Sequence, residues 1–142
     1  METNKWIETN ISGAVHVIDW FGFWPSFHDA EIVEIRLNRK GQSSLKLHVF
    51  QMTPEVDERG FFVLDKHAIV TLLLQDVLDL ELIGFSHQNV IFGLEIKQDE
   101  RGVKIILEGC FGIEGWLIAK EAIVQIAPGK PTFDQQSHSP DR

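Results

Sequence analysis

From Ala30 to Ala127, runs of alternating apolar and polar residues are separated by turns only a few residues long. That spacing constrains the fold more than any other feature. Parallel neighbours need a crossover of a dozen or more residues, and these gaps leave no room for one. The strands must therefore pair antiparallel, in an α+β domain that is mainly antiparallel β.

Ala30 to Leu37 alternates, with Glu31, Val33, Ile35 and Leu37 on one face and Ile32, Glu34 and Arg36 on the other. Asn38 to Ser43 is turn chemistry around Gly41. Leu45, Leu47 and Val49 then alternate with Lys46 and His48. These two strands predict a hairpin with Ile35 opposite Leu47 and Val33 opposite Val49. A one-residue slip would turn Lys46 into the core.

Thr53 to Gly60 reads as an acidic surface loop. His67 to Gln75 suits a strand, although Ile69, Leu72, Leu73, Val77 and Leu80 also fit helical spacing after a cap at Asp65. The β-branched content and the clean alternation of Leu78, Leu80 and Leu82 favour strands. Further strands are expected over Val90 to Lys97, Val103 to Cys110, and Trp116 to Ala127 with a break near Lys120. Turns at 84–89 and 98–102 separate them. The total is about seven strands.

Ahead of the strands, Ala14, Val17, Ile18 and Phe21 recur at helical spacing. A helix from Gly13 to Phe21 is predicted, with Ser12 as N-cap and Gly22 as a left-handed stop. Residues 1–10 read as a loose arm or a short edge strand. Residues 1–129 are expected to form one globular domain, and the polar, aperiodic 130–142 a disordered tail.

The net charge of −8 disfavours nonspecific binding to nucleic acid or anionic membrane, since both repel an acidic surface. The N-terminus lacks a signal-peptide layout and no apolar run reaches membrane-spanning length. The lone cysteine, Cys110, excludes an intrachain disulfide and fits a reducing compartment. A cytoplasmic protein is the expectation, with Cys110 as a buried, inert thiol in a strand.

The densest stretch chemically is Trp24-Pro25-Ser26-Phe27-His28-Asp29-Ala30-Glu31-Ile32. His28 suits a general base or metal ligand, or a side chain satisfying backbone at the helix-to-strand corner. In an extended chain His28 and Asp29 point to opposite faces, so they would not share a site. The local backbone role is the better supported, with Asp29 capping neighbouring amides. Trp20, Phe21, Phe23, Trp24 and Phe27 form an aromatic cluster expected to close one end of the sheet. The other histidines are scattered without zinc-site spacing, although His28 and His48 lie within reach of one another across the first hairpin. There is no nucleophile elbow and no phosphate-binding glycine loop. No catalytic residue, metal or cofactor is assigned.

The run Phe21-Gly22-Phe23-Trp24-Pro25-Ser26-Phe27-His28-Asp29-Ala30-Glu31-Ile32 resembles the opening motif of the immunity protein 50 family. Phe85-Ser86-His87-Gln88-Asn89-Val90-Ile91 and the closing Pro128-Gly129 are similar to that family as well, with Ser86 where Asn is more usual. The resemblance covers Gly13 to Gly129. It implies a bacterial, cytoplasmic inhibitor of a cognate toxin from a polymorphic toxin system, with no catalytic residues. An acidic inhibitor would suit the basic cleft of a nuclease. Glu55, Asp57 and Glu58 of the acidic loop and the Asp79/Glu81 face are the candidate contacts, with Trp24, Pro25, Ser26, Phe27, His28 and Asp29 holding the corner. The competing reading is a small-ligand-binding or hydrolytic domain with a pocket at His28 and Asp29. Monomer and homodimer both remain open.

Overall fold

The computed structural model of the chain describes residues 2–131. Two short helices, α1 (Glu2–Asn10) and α2 (Ala14–Phe21), precede six strands: β1 (Glu31–Arg36), β2 (Gln42–Val56), β3 (Phe62–Ile83), β4 (Val90–Asp99), β5 (Gly102–Phe111) and β6 (Glu114–Pro128). All strand pairings are antiparallel, and the sheet closes into a barrel in the order β1-β2-β3-β6-β5-β4. The expected mainly antiparallel β class is what the chain adopts.

Alternation fills the core. Leu45, Leu47 and Val49 of β2 are buried with Ala68, Val70, Leu72 and Leu74 of β3, Ile105 and Leu107 of β5, and Ala122 and Val124 of β6. The helices add Ile7, Ala14, Val17 and Phe21 to the same cluster, and the link between them adds Ile11. Helices this short hold only through such packing.

Several details depart from the pattern read in the sequence. The first hairpin has Ile35 opposite Leu45 and Ile32 opposite Leu47, not the expected pairs. The turn is two residues tighter than expected, which sets Ile35 against Leu45, and a bulge at Val33 then shifts the phase by one more residue, so that Ile32 turns into the core at 2% exposure while Val33 is only half-buried. The strands expected over 67–75 and 78–82 are one strand, β3, which begins earlier and passes through an irregularity at Asp76 (φ 54°) and a register shift between Val77 and Asp79. Asp76 stays in the strand because it pins the β1–β2 turn: its carboxylate accepts from the Gly41 amide at 3.0 Å and its own amide donates to the Gly41 carbonyl at 2.8 Å. Likewise β6 runs unbroken through Lys120.

The remaining departures lie at the N-terminus and at Cys110. Residues 2–10 form α1 rather than a loose arm, because Trp6, Ile7 and Ile11 find cover on the barrel. Helix α2 is capped by Gly13 and not by Ser12. Ser12 instead bridges to Ile123, and its carbonyl accepts from the Val124 amide at 2.8 Å. At its other end the Gly22 amide donates to Ile18 O at 2.7 Å, the left-handed stop read from the sequence. Cys110 is exposed, since the end of β5 alternates it outward. Residues 132–142 of the expected tail lie outside the described residues.

Gly13 carries the junction between the helices and the barrel. Its φ is +90°, and an added Cβ would collide with the backbone carbonyl of Val124. Gly13→Ala should therefore cost about 2 kcal/mol or more of unfolding free energy in urea. Gly41→Ala, at a similar φ of +83° with open space around it, should cost about 1 kcal/mol. Equal losses would show that α2 does not dock against β6 as described.

Candidate functional site

A six-residue β1 has little backbone with which to close a barrel. Its ladder to β4 contains one pair, Glu31 with Val90. The segment just before β1, together with Ile32 at its start, supplies further bonds. The Asp29 amide donates to Ile91 O at 2.9 Å, and the Ile91 amide to Ala30 O at 3.0 Å. The Ile32 amide donates to Asn89 O at 2.8 Å, and the Leu94 amide to Ser26 O at 3.3 Å. The segment from Ser26 to Ile32 is thus the seam of the barrel.

Its shape comes from two left-handed residues, Phe27 (φ 66°) and Asp29 (φ 67°). Non-glycine residues rarely sit there, and they stay only where the surroundings hold them. Phe27 is held by burial at 2% exposure and by an edge-on contact with Trp24, ring centroids 5.5 Å apart. Asp29 is held by its amide bond to β4.

The same geometry corrects the expectation that His28 and Asp29 diverge. The chain turns here, so the Asp29 carboxylate comes within 3.6 Å of His28 Nε2. His28 Nδ1 lies 3.1 Å from the Phe92 carbonyl, to which it donates, and the ring stacks on the Phe92 ring. The His28 amide donates to Ser26 Oγ at 3.2 Å. His28 and Asp29 line one cavity of about 210 Å³, shared with Phe21, Phe23, Phe27, Phe50 and Met52. Of the aromatic cluster, Phe21 and Phe27 are buried, Trp20 and Trp24 are half-buried, and Phe23 is exposed.

The 85–91 run lies on the β4 side of this seam. Asn89, 3% exposed, closes a local ring: its Oδ1 accepts from the Ser86 amide and its Nδ2 donates to Ser86 O, both at 2.8 Å. Both motifs singled out in the sequence therefore meet at one place, where β1 and β4 join.

His28 does not approach His48 as a partner. His48 on β2 pairs instead with His67 on β3, Nε2 to Nδ1 at 2.9 Å, and Phe50 lies against both rings. Desolvation is the main cause lowering the His48 pKa below its ordinary 6.5, followed by the charges of His67 and Lys130. Among the described residues no group of three or more His, Cys, Asp or Glu converges to hold a metal ion.

The acidic candidates fall in two places along β3. Glu55, Asp57 and Glu58 lie at its N-terminal end, where β2 and β3 run on past the buried barrel as a hairpin arm. The expected loop is shorter than read: Glu55 is still in β2, and the turn covers 57–61. Asp57 Oδ1 accepts from the amides of Arg59 and Phe61 at 2.9 and 3.0 Å, so Asp57 shapes the turn. Asp79 and Glu81 lie toward the C-terminal end of β3, and Asp79 is engaged by Arg101 at 3.5 Å.

The arm also exposes Met52, Val56, Phe61, Phe62 and Leu64. Reading Thr53 to Gly60 as a loop hid them. The signal was present, since Phe61-Phe62-Val63-Leu64 directly after a glycine turn is a strand start facing Met52 and Val56.

Compared with protein-family models, the chain matches immunity protein 50 over residues 13–127. The chain belongs to the immunity protein 50 family. Searches of curated proteins and of solved structures found no match. The matched stretch takes in α2, the seam and all of β1 to β5, and reaches Ala127 within β6. No helix among the described residues is long and apolar enough to cross a membrane.

A base whose pKa is lowered on folding favours the native state in its neutral form. Its contribution is complete above pH 6.5 and is lost as pH falls toward and through the folded pKa. Thermal melting should therefore decline more between pH 7 and pH 5 in the native protein than in His48→Gln. Parallel declines would remove His48 as the source.

Proposed function

We propose that this member of the immunity protein 50 family acts in the cytoplasm by binding a cognate protein toxin and neutralising it through occupancy, without catalysis of its own. Family membership over 13–127 carries the reading. The seam motif then serves the fold: its backbone groups and the His28 ring are bonded to the β4 side, while the Asp29 carboxylate faces His28 rather than capping the neighbouring amides expected of it. The toxin most compatible with a chain of net charge −8 is one with a basic cleft, such as a nuclease.

Within this reading Glu55 and Glu58 are the steering residues. Asp79 already faces Arg101, and the exposed Glu81 has no turn to project it. Asp57 contributes charge but also holds the turn, so substituting it would mix two effects.

The cavity beside His28 and Asp29 favours the second reading, a ligand-binding or hydrolytic domain. At about 210 Å³ it falls below the usual range for small-molecule sites, and its histidine is tied to Phe92 O. The inhibitor reading is the stronger.

Titration calorimetry against the product of the adjacent gene should give nanomolar or tighter binding that weakens as salt rises. Glu55→Gln/Glu58→Gln should slow association and flatten the salt dependence, with little change in dissociation. Absence of binding would contradict the reading.

A further inference from the structure

We infer that the surface contacting the toxin is an apolar strip, which begins at the cavity beside His28 and runs up one face of the β2–β3 arm. Its occupant is a basic protein surface that places an apolar side chain in the cavity. This rests on the inhibitor reading and adds where and how the partner is held.

The strip is built by register. Met52 is opposite Leu64 and Val56 is opposite Phe62, and directly opposed residues share a face. A register shift on β2 separates the two pairs, but on β3 Leu64 and Phe62 are two residues apart and share a face, so their partners Met52 and Val56 lie on that side of the arm as well. Exposure is 51% at Met52, 56% at Val56 and 54% at Phe62, and Phe61 at the turn reaches 63%. Met52 also lines the cavity, whose other walls include Phe23, Phe27, His28, Asp29 and Phe50. Cavity and strip are therefore continuous through Met52.

A two-stranded ribbon outside the barrel gains little stability from such side chains. Large apolar groups in contiguous exposure mark interaction surfaces, and buried aromatics in the middle of an interface carry most of its energy. The cavity is on the scale of one large side chain.

Charge selects the occupant. Along the arm the exposed acids Glu55, Asp57, Glu58 and Asp65 outnumber the bases Arg59 and Lys66, and Asp29 stands at the cavity. Two copies meeting across a two-fold axis would oppose the same acidic groups, which costs association energy. A basic partner meets them with opposite charge. A second exposed apolar group, Ile83, Phe85 and Phe111, lies toward the other end of β3 and is the competing contact face.

The test uses the full chain and the product of the adjacent gene, with calorimetry and dissociation rates. Phe61→Ser/Phe62→Ser should weaken binding by at least about thirtyfold, mainly through faster dissociation. Met52→Glu, at the junction of strip and cavity, should weaken it by at least about tenfold, and keeps the test decisive if the double variant misfolds. Phe85→Ser/Phe111→Ser should change affinity by less than about threefold. Melting temperatures serve as the folding control. Arm variants that bind like the native protein, or loss of binding confined to Phe85→Ser/Phe111→Ser, would overturn the assignment and leave the inhibitor reading intact. Failure of the native protein to bind would remove both.

Discussion

Closing a barrel requires the first and last strands in its order to satisfy each other's backbone, and here one of them is only six residues long. Everything distinctive about the Trp24–Ile32 stretch follows from that shortage. A regular strand extended backwards from Glu31 would run on into Pro25, which has no amide to give. The chain instead turns through Phe27 and Asp29 in left-handed conformations and presents the Asp29 and Ile32 amides and the Ser26 and Ala30 carbonyls to β4. Burial of Phe27 against Trp24 offsets the backbone cost.

The opposite problem appears on the other side of the barrel. β3 has 22 residues, more than its neighbours on either side, and is divided by irregularities at Lys66 and Asp76. Between these points it is a barrel strand with alternate residues buried. Beyond Asp76 it pairs with β6 alone, and before Lys66 with β2 alone. The arm is the second of these overhangs. Under the proposed function the seam and the arm divide the labour: the Trp24–Ile32 stretch maintains the barrel, and the less conspicuous hairpin meets the partner.

Much of the fold was legible because alternation and turn chemistry are local. The buried face of β2, the strand at β5, the turns at 38–43 and 98–102 and the stop at Gly22 could all be read from neighbouring residues. The misses required longer-range information. The Val33 bulge depends on what faces β1 across the sheet, and the choice between one strand and two at Asp76 depends on Gly41, thirty-five residues away. α1 has a polar sequence and becomes a helix because the barrel covers Trp6 and Ile7. At the site, His28 and Asp29 were singled out for their chemistry, but their convergence hinges on a left-handed Asp29 that no periodicity reveals. The His48–His67 pair needed the register of β2 against β3. The arm was hidden because its acidic residues resembled a loop more than its phenylalanines resembled a strand.

The most direct test is amide hydrogen exchange, measured residue by residue, in the free protein and in its complex with the toxin. The Asp29, Ile32, Ile91 and Leu94 amides should exchange as slowly as the barrel core in both states, while amides of residues 52–64 should exchange quickly in the free protein and slow only in the complex. Rapid exchange at the seam in the free protein, with protection appearing there and not in the arm on binding, would contradict this: the motif would then be the contact and the arm a bystander.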